Sequence, residues 1–129
     1  GRACSASNAI ITVFMPEPHI LLTVVQGTSS GRPAPREACQ VFDVLSLWWQ
    51  IQIDPANTSR DAAFESKADA AIDATEAWTE RVPTSAEAWF YLGGAYGARA
   101  QWRVLRGEQL GAARDGKRIK DALEKALGG

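Results

Sequence analysis

The stretch Ser85–Tyr96, Ser-Ala-Glu-Ala-Trp-Phe-Tyr-Leu-Gly-Gly-Ala-Tyr, constrains this chain more than any other. Trp89 is followed by Leu92 and Gly93 at helical spacings, and Tyr96 comes one turn later. On a helix these four positions lie on one face. The glycine leaves a notch between large neighbours, and such a notch is filled by a second helix lying across it. The stretch therefore reads as one of several stacked helices.

The remaining pattern supplies the partners. Pro35 stands where a helix can begin, with Glu37 in its first turn. Val41, Leu45, Trp48 and Gln52 form one stripe, and Phe42, Trp49 and Ile53 form a second beside it. A helix over about Arg36–Ile53 is therefore expected to be largely buried. Asp54-Pro55-Ala56-Asn57 stops it, and Thr58 or Ser59 is expected to cap the next helix. In that helix Phe64, Ala68, Ala71, Thr75, Trp78 and Val82 recur at alternating steps of four and three. The middle of this stripe is small, so a neighbour can come close there. Pro83 ends the helix, and Thr84 or Ser85 caps a third, running to about Arg106. Gly107 breaks the third helix. A fourth follows to about Leu127, with Leu110, Ala113, Ile119, Leu123 and Ala126 on its inner side and Gly116 as a close-approach point.

Upstream, Asn8–Met15 and His19–Gln26 are β-branched apolar runs separated by Pro16-Glu17-Pro18. They read as two strands of a hairpin or as extended arms. Gly27–Pro35 is a linker by composition. The organisation expected is thus an extended or β-hairpin arm with its linker over 1–35, and a four-helix domain over 36–129. A length of 129 residues is one domain and can bury a core without metals or disulfides.

The net charge is −1, which gives no general reason to bind nucleic acid or acidic lipid. The charge is unevenly spread, since Asp54–Glu87 carries a net −5 and Ala98–Gly129 a net +4. These halves should attract. Cys4 and Cys39 are too far apart for a Cys-x-x-Cys site. They are expected as unlinked thiols, with one bridge across a long loop as the alternative. Arg2 stands where a lipoprotein cleavage site needs a small or apolar residue, so Ala3-Cys4-Ser5 is not read as one. No apolar run approaches the ~18–20 residues of a membrane span.

Candidate chemistry is sparse. His19 is the only histidine, which leaves metal sites and catalytic triads without their usual members. Asp61, Glu65, Asp69 and Asp73 recur every fourth residue and repel one another by a few tenths of a kcal/mol per pair. This ridge reads first as a solvated face helped by Arg60 and Lys67, then as a partner for Arg99, Arg103 or Arg106, and last as a carboxylate metal site. Arg114, Lys117, Arg118, Lys120 and Lys125 make the last helix basic, but Asp115, Asp121 and Glu124 interrupt any phosphate-binding face. No nucleic-acid partner, cofactor or metal is therefore expected. Gly93-Gly94-x-x-Gly97 follows no strand and precedes no Gly-Lys-Ser/Thr, so it is not a phosphate loop. Trp102 and one of Trp48 and Trp49 are the candidates for exposed aromatic anchors.

Ala71, Trp78, Pro83 and Trp89-x-x-Leu92-Gly93-x-x-Tyr96 resemble the junction between two tetratricopeptide repeats, with the family's six-residue step from Pro83 to Trp89. Asp121–Leu127 looks like the end of a repeat's second helix. Arg114–Lys117, Arg-Asp-Gly-Lys, is similar to a segment of long-helix bacterial relatives. The resemblance covers about Arg36–Leu127. The helices exceed a 34-residue unit, and the first lacks the opening motif. It implies an all-α fold of two stacked antiparallel hairpins in a right-handed superhelix, and a protein-binding or scaffolding role without catalysis. Carried over from the repeat's first helix, Glu87, Phe90, Tyr91 and Gln101 would face the ligand, joined by Trp49 and Trp102 as anchors. The partner would be another protein chain, a peptide or a second copy, with membrane contact only through that partner. The alternative is a structural subunit of a larger, membrane-associated complex. A bacterial cell envelope or periplasm is favoured over the cytoplasm.

Overall fold

The computed structural model describes residues 35–128, and the two upstream apolar runs lie outside them. Among the described residues the fold is all-α, with four helices and no strand. They are α1 (Arg36–Ile53), α2 (Asp61–Arg81), α3 (Ala86–Leu105) and α4 (Gln109–Ala126).

Local chemistry accounts for most boundaries. The Pro35 carbonyl accepts the first bond of α1 from the Cys39 amide at 3.2 Å. Pro83 disfavours helix at the residue before it, so α2 stops at Arg81 and Val82 lies beyond its end. Val82 is therefore 44% exposed instead of closing the buried stripe of α2. Ser85 caps α3, its Oγ accepting from the Ala88 amide at 3.1 Å. Between α3 and α4 the chain reverses at Gly107, whose φ of +80° is costly for a residue with a Cβ. The start of α2 differs from expectation. Asn57 Oδ1 accepts from the Ser59 amide at 2.9 Å, and Arg60 occupies the cap position without a side-chain bond.

Contacts between helices set their directions. Arg81 at the end of α2 meets Glu37 at the start of α1, so these two helices are antiparallel. Arg106, just past α3, meets Asp61 at the start of α2, and Gly93 in α3 lies against Leu123 in α4, so the next two pairs are antiparallel as well. Phe42 touches Tyr91 and Trp48 bonds to Gln101, which makes α1 and α3 parallel neighbours. α3 packs on all three other helices.

The core runs along this contact. Trp48, Phe64 and Trp102 pack in series as tilted rings, with centroids 6.0 and 5.3 Å apart, and Phe64 is fully buried. Burying one such ring is worth about 1.5–3 kcal/mol. Trp78, half-buried, stacks on Tyr91 at 6.0 Å and 18°. Ala68, Ala71 and Thr75 are fully buried, and the Thr75 hydroxyl donates back to the Ala71 carbonyl at 2.8 Å. A hydroxyl satisfied within its own helix can face an apolar neighbour without penalty.

Two apolar faces differ from their expected positions. On α1 the buried residues are Ala38, Val41, Phe42, Val44, Leu45, Trp48 and Ile51. The second stripe beyond Phe42 turns outward, leaving Trp49 36% and Ile53 79% exposed. On α4, Ala112, Asp115, Ala122 and Ala126 are buried, Ile119 and Leu123 pack beside them, and Leu110 and Ala113 face solvent. The expected face was rotated because a charged residue, Asp115, faces inward. Cys39 is disulfide-bonded, where an unlinked thiol was expected. The chain's other cysteine, Cys4, lies outside the described residues.

The notch in α3 is filled as its sequence predicts. A Cβ built on Gly93 would stand 3.3 Å from Leu123 Cδ2 and 3.6 Å from Ala122 Cβ. Gly116, by contrast, has nothing within 4 Å and is not an approach point. Gly93→Val is expected to destabilise the protein by about 1–3 kcal/mol through overpacking. Gly116→Ala should stabilise it by roughly 1 kcal/mol through helix propensity alone. Denaturant titrations with unchanged slope check both. A neutral Gly93→Val would mean that α3 and α4 do not meet there.

Candidate binding surfaces

The six residues expected to meet a partner separate on folding. Phe90, Tyr91 and Trp102 are 6%, 3% and 5% exposed and belong to the core, so they offer no contact surface. Tyr91 packs its ring against Phe42, Trp78 and Phe90, and Trp102 packs against Phe64. A helix packed on three neighbours has little free circumference, which draws such rings inward. Glu87 is half-buried. Gln101 is exposed, but its Oε1 accepts from Trp48 Nε1 at 3.0 Å and is used to hold α1 against α3. Trp49 remains at the surface.

What the fold does present is an apolar end. Because α1 and α3 are parallel, Trp49 and Ile53 at the end of α1 lie at the same end of the molecule as Val104 and Leu105 of α3. Leu110 in the first turn of α4 joins them across the Gly107 turn. Their exposures are 36%, 79%, 54%, 41% and 68%. Of the large exposed apolar residues described, only Val82 and Leu127 belong to the opposite end. Single exposed apolar residues are ordinary, whereas five at one end of the molecule make that end its most apolar described surface. Sequence spacing assigned Ile53 and Leu110 to the core and gave Val104 and Leu105 no role.

Beside this end an arginine ladder on α3 joins the acidic and basic parts of the chain. Arg106 makes a paired contact with Asp61 at 2.6 and 2.9 Å and donates to the Pro55 carbonyl at 2.6 Å, fixing the α1–α2 turn. Arg99 reaches Asp69 at 2.9 Å and grips both oxygens of Asp115 at 2.8 and 3.1 Å. Arg103 adds a third bond to Asp115 at 3.0 Å. Two members of the acidic ridge, Asp61 and Asp69, are thus ion-paired with α3, while Glu65 and Asp73 stay exposed. The hydrogen bonds that Arg99 donates to Asp115 hold its guanidinium above its already high ordinary range, against the opposing effect of burial. Among the described residues no group of three or more His, Cys, Asp or Glu side chains is placed to hold a metal ion. No described helix is long and apolar enough to cross a membrane.

A cleft of about 260 Å³ opens between α2, α3 and α4. Glu76, Thr79 and Glu80 form one wall, Trp89, Leu92 and Tyr96 the floor, and Arg118, Asp121 and Ala122 the other wall. Trp89 is fixed by its Nε1, which donates to the Pro83 carbonyl at 2.8 Å, and Lys125 Nζ lies 5.2 Å from its ring centroid. The Tyr96 hydroxyl donates to Glu76. Burial first, and then this bond, push the Tyr96 phenol from 10.0 up to about 12.

No family model, curated protein or solved structure matches this chain.

Two predictions test this electrostatic scaffold. Asp115 is 2% exposed between two guanidinium groups, so Asp115→Ala leaves Arg103 without a carboxylate and Arg99 with Asp69 alone, and should cost about 1.5–3 kcal/mol in thermal or denaturant unfolding. Tyr96 has a raised folded pKa, so its contribution is complete below the unfolded value near 10 and is lost as pH rises toward 12. A stability loss on the order of 2 kcal/mol across that window is expected, and Tyr96→Phe should remove that part of the alkaline dependence. Equal alkaline slopes in both proteins would show that Tyr96 is not the group responsible.

Proposed function

We propose that this chain is a protein-interaction or scaffolding module of the tetratricopeptide-repeat type, performing no chemistry of its own. In this reading α1–α2 and α3–α4 are two stacked helical hairpins. The antiparallel order within each pair and the parallel contact of α1 with α3 support that arrangement. The observation that carries the function is the apolar end formed by Trp49, Ile53, Val104, Leu105 and Leu110. Such side chains are stabilised by covering them, at roughly 25 cal/mol per Å² removed from water. The partner is another protein chain or peptide, or a second copy of this one. Membrane contact, if the chain serves an envelope assembly, would pass through that partner. The Cys39 disulfide favours an oxidising compartment such as a bacterial periplasm.

The same surface also fits a subunit held permanently in a larger complex. Sedimentation separates the two readings, because an interaction module is a well-behaved monomer, or a reversible dimer if it meets its own copy, at micromolar concentration and an obligate subunit is neither. The central test is a triple variant, Ile53→Glu, Val104→Glu and Leu110→Glu, all at exposed positions. Compared with the native chain in affinity capture from its source, this variant should retain its melting temperature within a few degrees and lose the captured partner at least tenfold. Capture of the same proteins in equal amount would overturn the assignment of this end as the binding surface.

A further inference from the structure

Among the surface features, the cleft between α2, α3 and α4 lies away from the apolar end and takes no part in it. Its lining carries three carboxylates, Glu76, Glu80 and Asp121, against one guanidinium, Arg118. Glu80 and Asp121 are exposed at its rim, whereas Leu92, Tyr96 and Ala122 are buried beneath. Glu76–Glu80 belong to the last turns of α2, whose carbonyl end adds partial negative charge. An indole forms part of the floor, and its orientation is set by the bond to Pro83. A fixed aromatic ring with carboxylates around it stabilises a cation by both Coulomb and ring-quadrupole attraction. The chain already uses the ring in this way, since Lys125 Nζ stands over Trp89. Arg99, the other cation near the floor, stands over Tyr96 at 5.4 Å but is committed to Asp69 and Asp115.

We propose that this cleft is a receptor for a lysine side chain presented by a partner protein, with Trp89 receiving the alkyl stem and ammonium, and Glu80 and Asp121 pairing with the charge. Its volume of about 260 Å³ suits one long side chain and not a folded segment. A slender aliphatic stem fits over Leu92 and Ala122, and a compact ammonium reaches the rim acids without having to meet a planar fork. This site is independent of the apolar end, so either can be lost without the other.

The test uses the whole chain and a synthetic peptide with blocked termini, carrying lysines spaced by glycine and serine. Binding is followed through the Trp89 indole N–H and Ala122 amide resonances. The peptide is expected to shift both signals, and its Nε-acetylated counterpart is not. Glu80→Lys with Asp121→Lys should weaken binding at least tenfold. Glu65→Lys with Asp73→Lys, an equal change of charge on the exposed ridge of α2, should weaken it less than twofold. Equal shifts from the acetylated peptide would overturn the proposal. So would equal weakening by the ridge variant, which would reduce the effect to general surface charge, or unmoved Trp89 and Ala122 signals at millimolar peptide.

Discussion

Everything in this fold leans on α3, which must serve three neighbours at once. A helix in that position has little free circumference, and its residues show how the demand is met. Tyr91 and Trp102 fill the space toward α1 and α2, while Gly93 reduces the opposite side to backbone so that Leu123 of α4 can enter. Glycines weaken a helix by roughly 1 kcal/mol each. Contact of α4 with a nearly bare helix surface offsets that loss through dispersion and burial. A side chain at 93 would hold α4 away and open the cleft whose floor α3 supplies.

The second demand on α3 is electrostatic. Its C-terminal half and the residue just past it present Arg99, Arg103 and Arg106 in successive turns, and each finds a carboxylate on another helix. Asp115 is the centre of this arrangement, because it is buried and meets two of the three. A single buried carboxylate is costly, whereas one receiving bonds from two guanidinium groups has that cost offset. The arginines therefore bring α4 into register with α3 and tie α2 and the α1–α2 turn to the same helix. Their reach also keeps the surrounding surface polar, so the exposed apolar residues at that end stand out against it.

Much of this was legible in residue order. Periodicity located all four helices, with boundaries set by Pro35, Pro83, Ser85 and Gly107, because proline, glycine and serine act through their own backbone and cap chemistry. The Gly93 notch was visible for the same reason, since a missing side chain among large ones has one structural use. What spacing could not reveal was how far around each helix the burial extends. Trp49 and Trp48 are adjacent and chemically identical, yet one is at the surface and the other in the core. Leu110 and Asp115 exchange their expected places because the arginines that neutralise Asp115 belong to a different helix.

Local chemistry thus decided where the chain is helical, where it turns and which face of α3 accepts a neighbour. These outcomes depend on side chains within a turn or two of one another, and a one-dimensional pattern records them. Tertiary structure alone decided that Phe90, Tyr91 and Trp102 are interior, that five apolar side chains share an end, and that carboxylates and an indole from three helices enclose one cleft. Those outcomes depend on which helices pack and at what rotation. That rotation is chosen by pairwise fit and charge compensation between residues far apart in the chain.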